Sequence, residues 1–290
     1  MKHRIGILGL CLTIVAFNVG CTDYDCLDGE CTNADYGVGP QYSVTKAALT
    51  AQCSISVEGY GAVDIETDYI PNVTWCENGR SSDAGLRAQA VAARTFAYYK
   101  ISRNATPVTS SQNDQVYYCK SWATRTEEQF QRCIDATNET AGEIMTYHDT
   151  ITAGFYVAGV TTDYLDSNCK FTGGSGSTGW VSNHKYVTYN EGKSGDDITQ
   201  SSIGSLSKTN YANRGCMSQN GATCLGDKGY TYYRILRFFY GEDINIETGE
   251  GECVTPKKCE TVLDKSGVII DEKDPCFSRT SASSWYSIDG

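Results

Sequence analysis

The stretch Leu86–Ala97, which reads LRAQAVAARTFA, decides the architecture of this chain. It is rich in alanine, the best helix former, and the run continues to Ile101 without glycine or proline. Ser81 or Ser82 supplies an N-cap hydroxyl before it. Small or apolar side chains recur at spacings of three and four, at Leu86, Ala90, Ala93 and Ala97. This narrow face of small residues predicts a central, buried helix that other elements approach closely.

Gln89 and Arg94 are polar residues within this alanine-rich stretch. A buried polar group is costly unless it is hydrogen-bonded, so we expect both side chains to have hydrogen-bond partners if the helix is buried. For Arg94 two roles stay open. It either braces neighbouring loops from a buried position or contacts the substrate directly.

The flanking segments predict short strands and helices. Residues 54–57 and 62–65 alternate apolar and polar around a glycine-containing turn, which predicts a strand pair. Further along the chain the patterns predict helices over 127–137 and 230–240, and paired strands over 143–147 and 151–157. We therefore expect an α+β fold, with a single main mixed domain whose central alanine-rich helix packs on antiparallel strands and which disulfides stabilise.

The N-terminus indicates export. A basic start at residues 2–4 precedes the apolar run Ile5–Val19, which is short for a membrane span but typical of a signal peptide. We expect residues 1–21 to be a signal peptide ending in a lipobox-like sequence at Cys21, where lipidation would anchor the protein. The alternative is cleavage nearby and release. Either way we expect an exported protein, periplasmic or on the outer surface.

Composition divides the remaining chain into three parts. Residues 22–45 are rich in Asp, Gly and Thr and predict a tether. Residues 46–247 hold the patterned strands and helices of the main domain. Residues 248–290 form a polar tail that contains cysteines, and this tail either begins a further domain or docks on the main one.

The cysteines support export. Of fourteen, Cys11 lies in the signal peptide and Cys21 at the lipobox, which leaves an even number for disulfides. Zinc binding would predict tight CxxC pairs or nearby histidines, and the sequence has neither, so we expect disulfides and no metal or other cofactor. The local pairs that suggest themselves are Cys26–Cys31, Cys216–Cys224 and Cys253–Cys259.

The net charge and the aromatic content indicate which kinds of molecule the protein binds. The net charge of −11 and the lack of a basic patch argue against nucleic acid. Twenty tyrosines stand against eight phenylalanines. Tyrosine combines a flat apolar face with a polar tip, which suits a sugar-binding groove. The alternative is that tyrosine merely replaces phenylalanine in strands.

Three stretches resemble one family. Tyr69–Gly79 followed by Leu86–Ala97 is similar to the SpoIID/LytB signature, in which a tyrosine-led strand and a glutamate precede a helix reading LKAQAVAARTYA. Asp114–Tyr117 resembles the family's short Asp, Gln and Tyr segment, and Gly215–Ala222 resembles its GMSQ-x-GA motif. The similarity extends over roughly residues 46–247.

The resemblance implies a bacterial cell-wall function. SpoIID-type proteins are lytic transglycosylases that prefer peptidoglycan glycan strands stripped of their stem peptides, and LytB-type relatives enhance wall amidases. The resemblance does not choose between cleavage and a non-catalytic module that binds peptidoglycan or assists an amidase. It places the catalytic acid at Glu77, and the substrate-binding candidates are Arg94, Gln115, Tyr117, Ser218 and Gln219.

The reaction that the resemblance implies can proceed with a single carboxylate. Ordinary glycosidases use two carboxylates, whereas a lytic transglycosylase protonates the glycosidic oxygen and lets the sugar's own 6-hydroxyl attack. The acid needs a raised pKa. We expect apolar neighbours such as Trp75 to raise it by desolvation and the N-terminus of the following helix to oppose this. The alternative for Glu77 is a helix-cap or surface carboxylate.

The sequence departs from the family pattern before its third motif. Asn213 and Arg214 stand where the family usually has His-Gly, so a histidine role there is lost or taken over. Near the second motif only Cys119 remains of the Cys and His residues that bind zinc in some members. His148 and His184 are expected at the surface, outside any Ser-His-Asp or Cys-His arrangement.

Overall fold

The computed structural model describes residues 49–173, 183–203 and 210–254, together with the backbone of two strands at Phe277–Ser281 and Ser284–Ser287. The predicted signal peptide, the lipidation site Cys21, the tether and the pair Cys26–Cys31 lie outside the described residues. The tail prediction falls within them only in part.

The fold is organised around α2, Asp83–Ser102. The Ser82 hydroxyl accepts from the Gly85 N–H at 3.2 Å, which satisfies the first turn of the helix. All four members of the predicted small-residue face are fully buried. The elements that contact α2 most extensively are α1 (Ile70–Asn78), α3 (Glu127–Glu139), α4 (Gln219–Asp227), α5 (Tyr232–Tyr240) and β3 (Glu143–Tyr147). The prediction of a central, buried helix is confirmed.

Short strands cover the remaining sides. β1 (Ser54–Val57) and β2 (Gly61–Asp64) form the predicted antiparallel pair. In a second sheet, β3 pairs antiparallel with β4 (Thr150–Ile151) and with β7 (Asn245–Thr248). The strand predicted over 151–157 is only half right. Its second part, β5 (Tyr156–Val157), pairs instead in parallel with β6 (Met217–Ser218), which joins distant parts of the chain.

The described fold is therefore α+β, as predicted. Two further strands, β8 (Phe277–Ser281) and β9 (Ser284–Ser287), form an antiparallel hairpin. Within the described ranges, no helix combines the length and apolar character needed to cross a membrane.

The strand expected around Tyr69 is wrong. Residues Ile65–Tyr69 form a π-helical turn that continues directly into α1. Pro71 lies at the start of this helix, where its missing N–H costs nothing. Every residue from Ile70 to Trp75 is buried, so the run lacks the alternation that would separate strand from helix in the sequence.

Three disulfides stabilise the described residues, and none is local. Cys53–Cys253 joins the first strand region to the start of the tail, Cys76–Cys119 joins α1 to a loop, and Cys169–Cys224 joins a loop to α4. The predicted pairs Cys216–Cys224 and Cys253–Cys259 are wrong because Cys224 and Cys253 have these other partners. Cys216 is a free, buried thiol, as is Cys133.

The start of the predicted tail is bound to the domain. The Ala51 N–H donates to the Glu250 carbonyl at 2.9 Å, and the Glu250 N–H donates to the Leu49 carbonyl at 2.7 Å. With the Cys53–Cys253 disulfide, these bonds fasten residues 250–253 to residues 49–53. The domain limits at 46 and 247 stay a prediction.

Candidate active site

Glu77 lies in the last turn of α1, and the structure holds both oxygens of its carboxylate. Oε1 accepts from the Val116 backbone N–H at 2.7 Å. Oε2 accepts from the Gln219 side-chain amide at 3.1 Å. The Asn78 amide also donates to the Gln219 carbonyl at 3.3 Å. Two remote segments therefore converge on one half-buried carboxylate of α1.

Burial raises the pKa of Glu77 above its ordinary value, and the hydrogen bonds from Val116 and Gln219 lower it by less. The location at the carbonyl end of α1 also disfavours negative charge. We expected the N-terminus of the following helix to oppose protonation. That expectation placed a strand before Glu77, whereas the structure has helix α1 there. The site thus favours the protonated form that a general acid requires.

The loop that carries Val116 is tied down on both sides of the site. Cys119 is disulfide-bonded to Cys76, the residue before Glu77. On the other side, Asp114 forms an ion pair with Lys100 at 2.6 Å and accepts from the Thr109 N–H at 2.8 Å. The Val116 N–H is therefore a pre-positioned donor for the carboxylate.

Gln219 is positioned by the junction of β6 and α4. The preceding Ser218 is fully buried, and its hydroxyl accepts from the Gly221 N–H at 3.0 Å as the N-cap of α4. Gln219 begins the helix and directs its amide to Glu77. The substrate contact expected of Ser218 is therefore not available in this structure, because its hydroxyl caps the helix.

A family model described as SpoIID, Stage II sporulation protein, matches residues 57–147. The chain carries a SpoIID domain. The matched segment contains Glu77, α2 and the loop with Val116, which confirms the family resemblance of this region. Gln219 lies beyond it. No curated protein matches the chain significantly. The SpoIID family is associated with sporulation and with the processing of cell-wall peptidoglycan.

Next to the backbone donor Val116 lies a buried hydrogen-bond network centred on Gln115. The Gln115 amide donates to the Tyr156 hydroxyl at 2.8 Å and to the Ala93 carbonyl at 3.2 Å, and its oxygen accepts from the Tyr69 hydroxyl at 3.0 Å. Gln115 is fully buried, so it positions other groups rather than contacting the substrate from the surface.

Tyr156 was not predicted as a site residue. Its hydroxyl has a strongly raised pKa, first because of burial and then because of the charge on Glu77, so it lies within electrostatic range of that carboxylate. Gln115 holds it from behind. Tyr69, which opens the first motif, has a pKa raised by burial and then by Asp114 and Glu77. Tyr69 could be found from the sequence because it opens the first family motif. Tyr156 could not, because no sequence pattern distinguished it.

Arg94 lies in the buried interior, and none of its hydrogen bonds is with Glu77. It is fully buried and forms a bidentate ion pair with Glu66, with both N–O distances 2.7 Å. It also donates to the carbonyls of Glu143 and Thr137, each at 3.2 Å. The direct substrate contact considered for Arg94 is therefore corrected to a buried brace.

Gln89, by contrast, has no hydrogen-bond partner for either amide atom among the described residues, although it is fully buried. Our expectation that it would be paired is wrong.

Tyr117 lies at the edge of the site and is half-buried. Its hydroxyl donates to Asp68 at 2.9 Å, and its ring stacks on Tyr69 with centroids 5.6 Å apart. Of the predicted substrate-binding residues, Gln219 contacts Glu77 directly, and Gln115 and Tyr117 flank its backbone donor Val116.

The positions that replace the family's His-Gly do not reach Glu77. Asn213 exchanges hydrogen bonds with Ser201, and Arg214 is paired with Asp243. His184, expected at the surface, is buried. Its Nδ1 accepts from the Val160 N–H at 3.2 Å.

The residues near the second motif do not form a metal site in the described structure. Cys119 forms a disulfide with Cys76, so it has no free thiolate to bind a metal. Across the described ranges there is no group of three or more His, Cys, Asp or Glu side chains placed to hold a metal ion.

Proposed function

We propose that this chain is a peptidoglycan lytic transglycosylase that cleaves denuded glycan strands and leaves 1,6-anhydro ends, with Glu77 as the catalytic acid. The observation that carries the proposal is the environment of Glu77. Its carboxyl group is half-buried, has a raised pKa and is oriented by two donors from remote segments. A helix-cap or surface carboxylate would not need this arrangement.

In the proposed reaction, protonated Glu77 gives its proton to the glycosidic oxygen, and the bond from the anomeric carbon to that oxygen breaks. The 6-hydroxyl of the same sugar attacks the anomeric carbon and passes its proton to the Glu77 carboxylate. The acid is regenerated, and neither water nor a second carboxylate is consumed. Gln219 and the Val116 N–H stabilise the transient carboxylate through hydrogen bonds.

The proposal also includes the location of the protein in the cell. Three disulfides are consistent with an oxidising environment outside the cytoplasm. We propose export through the N-terminal signal, with Cys21 as a lipid anchor in the periplasm or on the outer surface. The partner is the glycan strand of peptidoglycan.

The test compares wild type with Glu77→Gln, which retains the shape of the side chain but has no titratable proton. Exposed Glu128→Gln on α3 is the matched control. Incubation with denuded glycan strands, followed by mass analysis, should detect anhydro ends for wild type and the control and none for Glu77→Gln. Equal product profiles for wild type and Glu77→Gln overturn the proposal.

The second candidate is a non-catalytic module that binds peptidoglycan or enhances a cell-wall amidase, which the family resemblance leaves open. It predicts no anhydro ends from wild type. It also predicts equal stimulation of an added wall amidase by wild type and Glu77→Gln.

A further inference from the structure

Three large aromatic side chains are exposed side by side next to the candidate active site. Tyr60, Tyr118 and Trp122, here named the aromatic shelf, have exposed fractions of 49%, 51% and 36%. The Tyr118 ring centroid lies 6.3 Å from that of Tyr60 and 5.6 Å from that of Trp122. Single exposed apolar residues are ordinary, whereas a contiguous group indicates a binding surface.

The shelf is held in a defined position. The Trp122 indole N–H donates to the buried Asn72 side chain at 2.7 Å, and the Arg125 guanidinium lies 4.0 Å from the Trp122 ring centroid. Asn72 in turn donates to the Asp68 carbonyl at 2.9 Å. An indole fixed by a buried amide loses little freedom when a ligand binds, which favours binding.

The opposite end of the shelf is held by stacked tyrosines. Tyr60 packs edge-on against Tyr117 with centroids 5.1 Å apart, and Tyr117 stacks on buried Tyr69. These contacts join the exposed rings to the core. The shelf is therefore a built surface rather than a row of independent loop side chains.

The same helix carries the shelf's anchor and Glu77. Asn72 and Glu77 are both in α1, separated by about 7.5 Å along the helix axis at the usual rise per residue. The segment that bears Tyr118 is bound to the end of α1 by the Cys76–Cys119 disulfide and by the Val116 N–H bond to Glu77. A ligand on the shelf is thus placed rigidly relative to the carboxylate.

We propose that the aromatic shelf is a remote sugar-binding subsite, which holds pyranose rings of the glycan strand at a distance from the bond that Glu77 cleaves. The proposal rests on the proposed function. Pyranose rings present C–H faces that pack on aromatic rings, and their hydroxyl groups stay in water at an exposed surface of this kind. Tyrosine and tryptophan suit this task because each combines a flat apolar face with a polar atom.

The aromatic shelf makes binding depend on the length of the oligosaccharide. A short oligosaccharide fills only the positions around Glu77, whereas a longer one also reaches the rings. Loss of one ring should therefore weaken binding of long chains and leave short chains unaffected. An aromatic contact of ordinary strength corresponds to a change of up to about tenfold in affinity.

The experiment uses the full chain in the Glu77→Gln background and measures binding of N-acetylglucosamine oligomers by calorimetry. The variants Tyr118→Ala and Trp122→Ala are compared with Tyr164→Ala, a tyrosine that is 65% exposed and outside the shelf. We expect weaker hexasaccharide binding for the two shelf variants, unchanged trisaccharide binding, and no effect of Tyr164→Ala. Trp122→Phe, which keeps a ring without the indole N–H, should lose less than Trp122→Ala.

Unchanged hexasaccharide binding in both shelf variants overturns the proposal, as does an equal loss in Tyr164→Ala. A shelf that instead docks a partner protein, such as an amidase, would give the first of these outcomes. Failure of the proposed function is recognised separately, because it appears as undiminished cleavage by Glu77→Gln in an otherwise wild-type chain. Circular dichroism of Tyr118→Ala, whose side chain is at the surface, checks that the fold is retained.

Discussion

The amide of Gln219 donates to the Glu77 carboxylate at 3.1 Å although 142 positions separate the two residues in the sequence. Glu77 lies at the end of α1 and Gln219 at the start of α4, so the last turn of one helix meets the first turn of the other. The charge state of the candidate acid therefore depends on a residue outside the segment that matches the SpoIID family.

Gln219→Met should raise the pKa of Glu77 further. The amide stabilises the carboxylate, so its removal leaves burial less opposed and favours the protonated form. The alkaline limb of the pH–rate profile should move to higher pH, with a lower maximal rate because the carboxyl group is less firmly oriented. Gln131→Met, on the exposed face of α3, is the matched control. A shift to lower pH would contradict this assignment.

Glu77→Gln should make the protein more stable at neutral pH than wild type. Burial raises the pKa of Glu77 in the folded state above its value in the unfolded chain. The folded state then binds more protons between those two pKa values, and wild type loses stability as pH rises through this window. Urea unfolding at several pH values should show the advantage of the variant growing from acid to neutral pH. If the difference in stability between Glu77→Gln and wild type did not change with pH, the pKa of Glu77 would not be raised in the folded state.

Replacing both Cys76 and Cys119 by serine should impair activity more than its effect on stability explains. The disulfide fastens the loop whose Val116 N–H holds Glu77. The matched control replaces Cys169 and Cys224, a pair that closes a loop of similar length, with sequence separations of 43 and 55. Each double variant should lose about 4 kcal/mol of stability by loop entropy.

Only the first double variant should lower the turnover per folded molecule, measured well below its unfolding midpoint. Equal activity in the two double variants would show that the Cys76–Cys119 disulfide does not position the active site.

Arg94→Met should destabilise the fold by about 3–5 kcal/mol, because it leaves Glu66 buried with an uncompensated charge. The surface pair of Arg87 and Glu139 offers the comparison. Arg87→Met should cost no more than about 1 kcal/mol, since exposed ion pairs contribute little. Chemical denaturation measures both. If Arg94→Met folded with normal stability but failed to bind glycan, the bracing role would be wrong.

Prediction from the sequence succeeded where interactions between residues close in sequence determine the structure. Helix α2 follows from alanine content, the Ser82 cap and the spacing of small residues, all within one short stretch. It failed for α1, because an apolar run without alternation is compatible with strand or helix. Only the packing of Ile70–Trp75 on all sides chose the helix.

The sequence by itself determined the α+β class and the central helix, and its resemblance to the SpoIID family selected Glu77 as the candidate acid. It could not determine which groups surround that carboxylate. Val116 contributes through its backbone, which every residue possesses, and Gln219 and Tyr156 reach the site only through the parallel pairing of β5 with β6. The tertiary structure also decided the disulfide partners and turned Arg94 and Ser218 into structural residues. Contacts between distant segments carry no local signal, because they form only when the whole chain has folded.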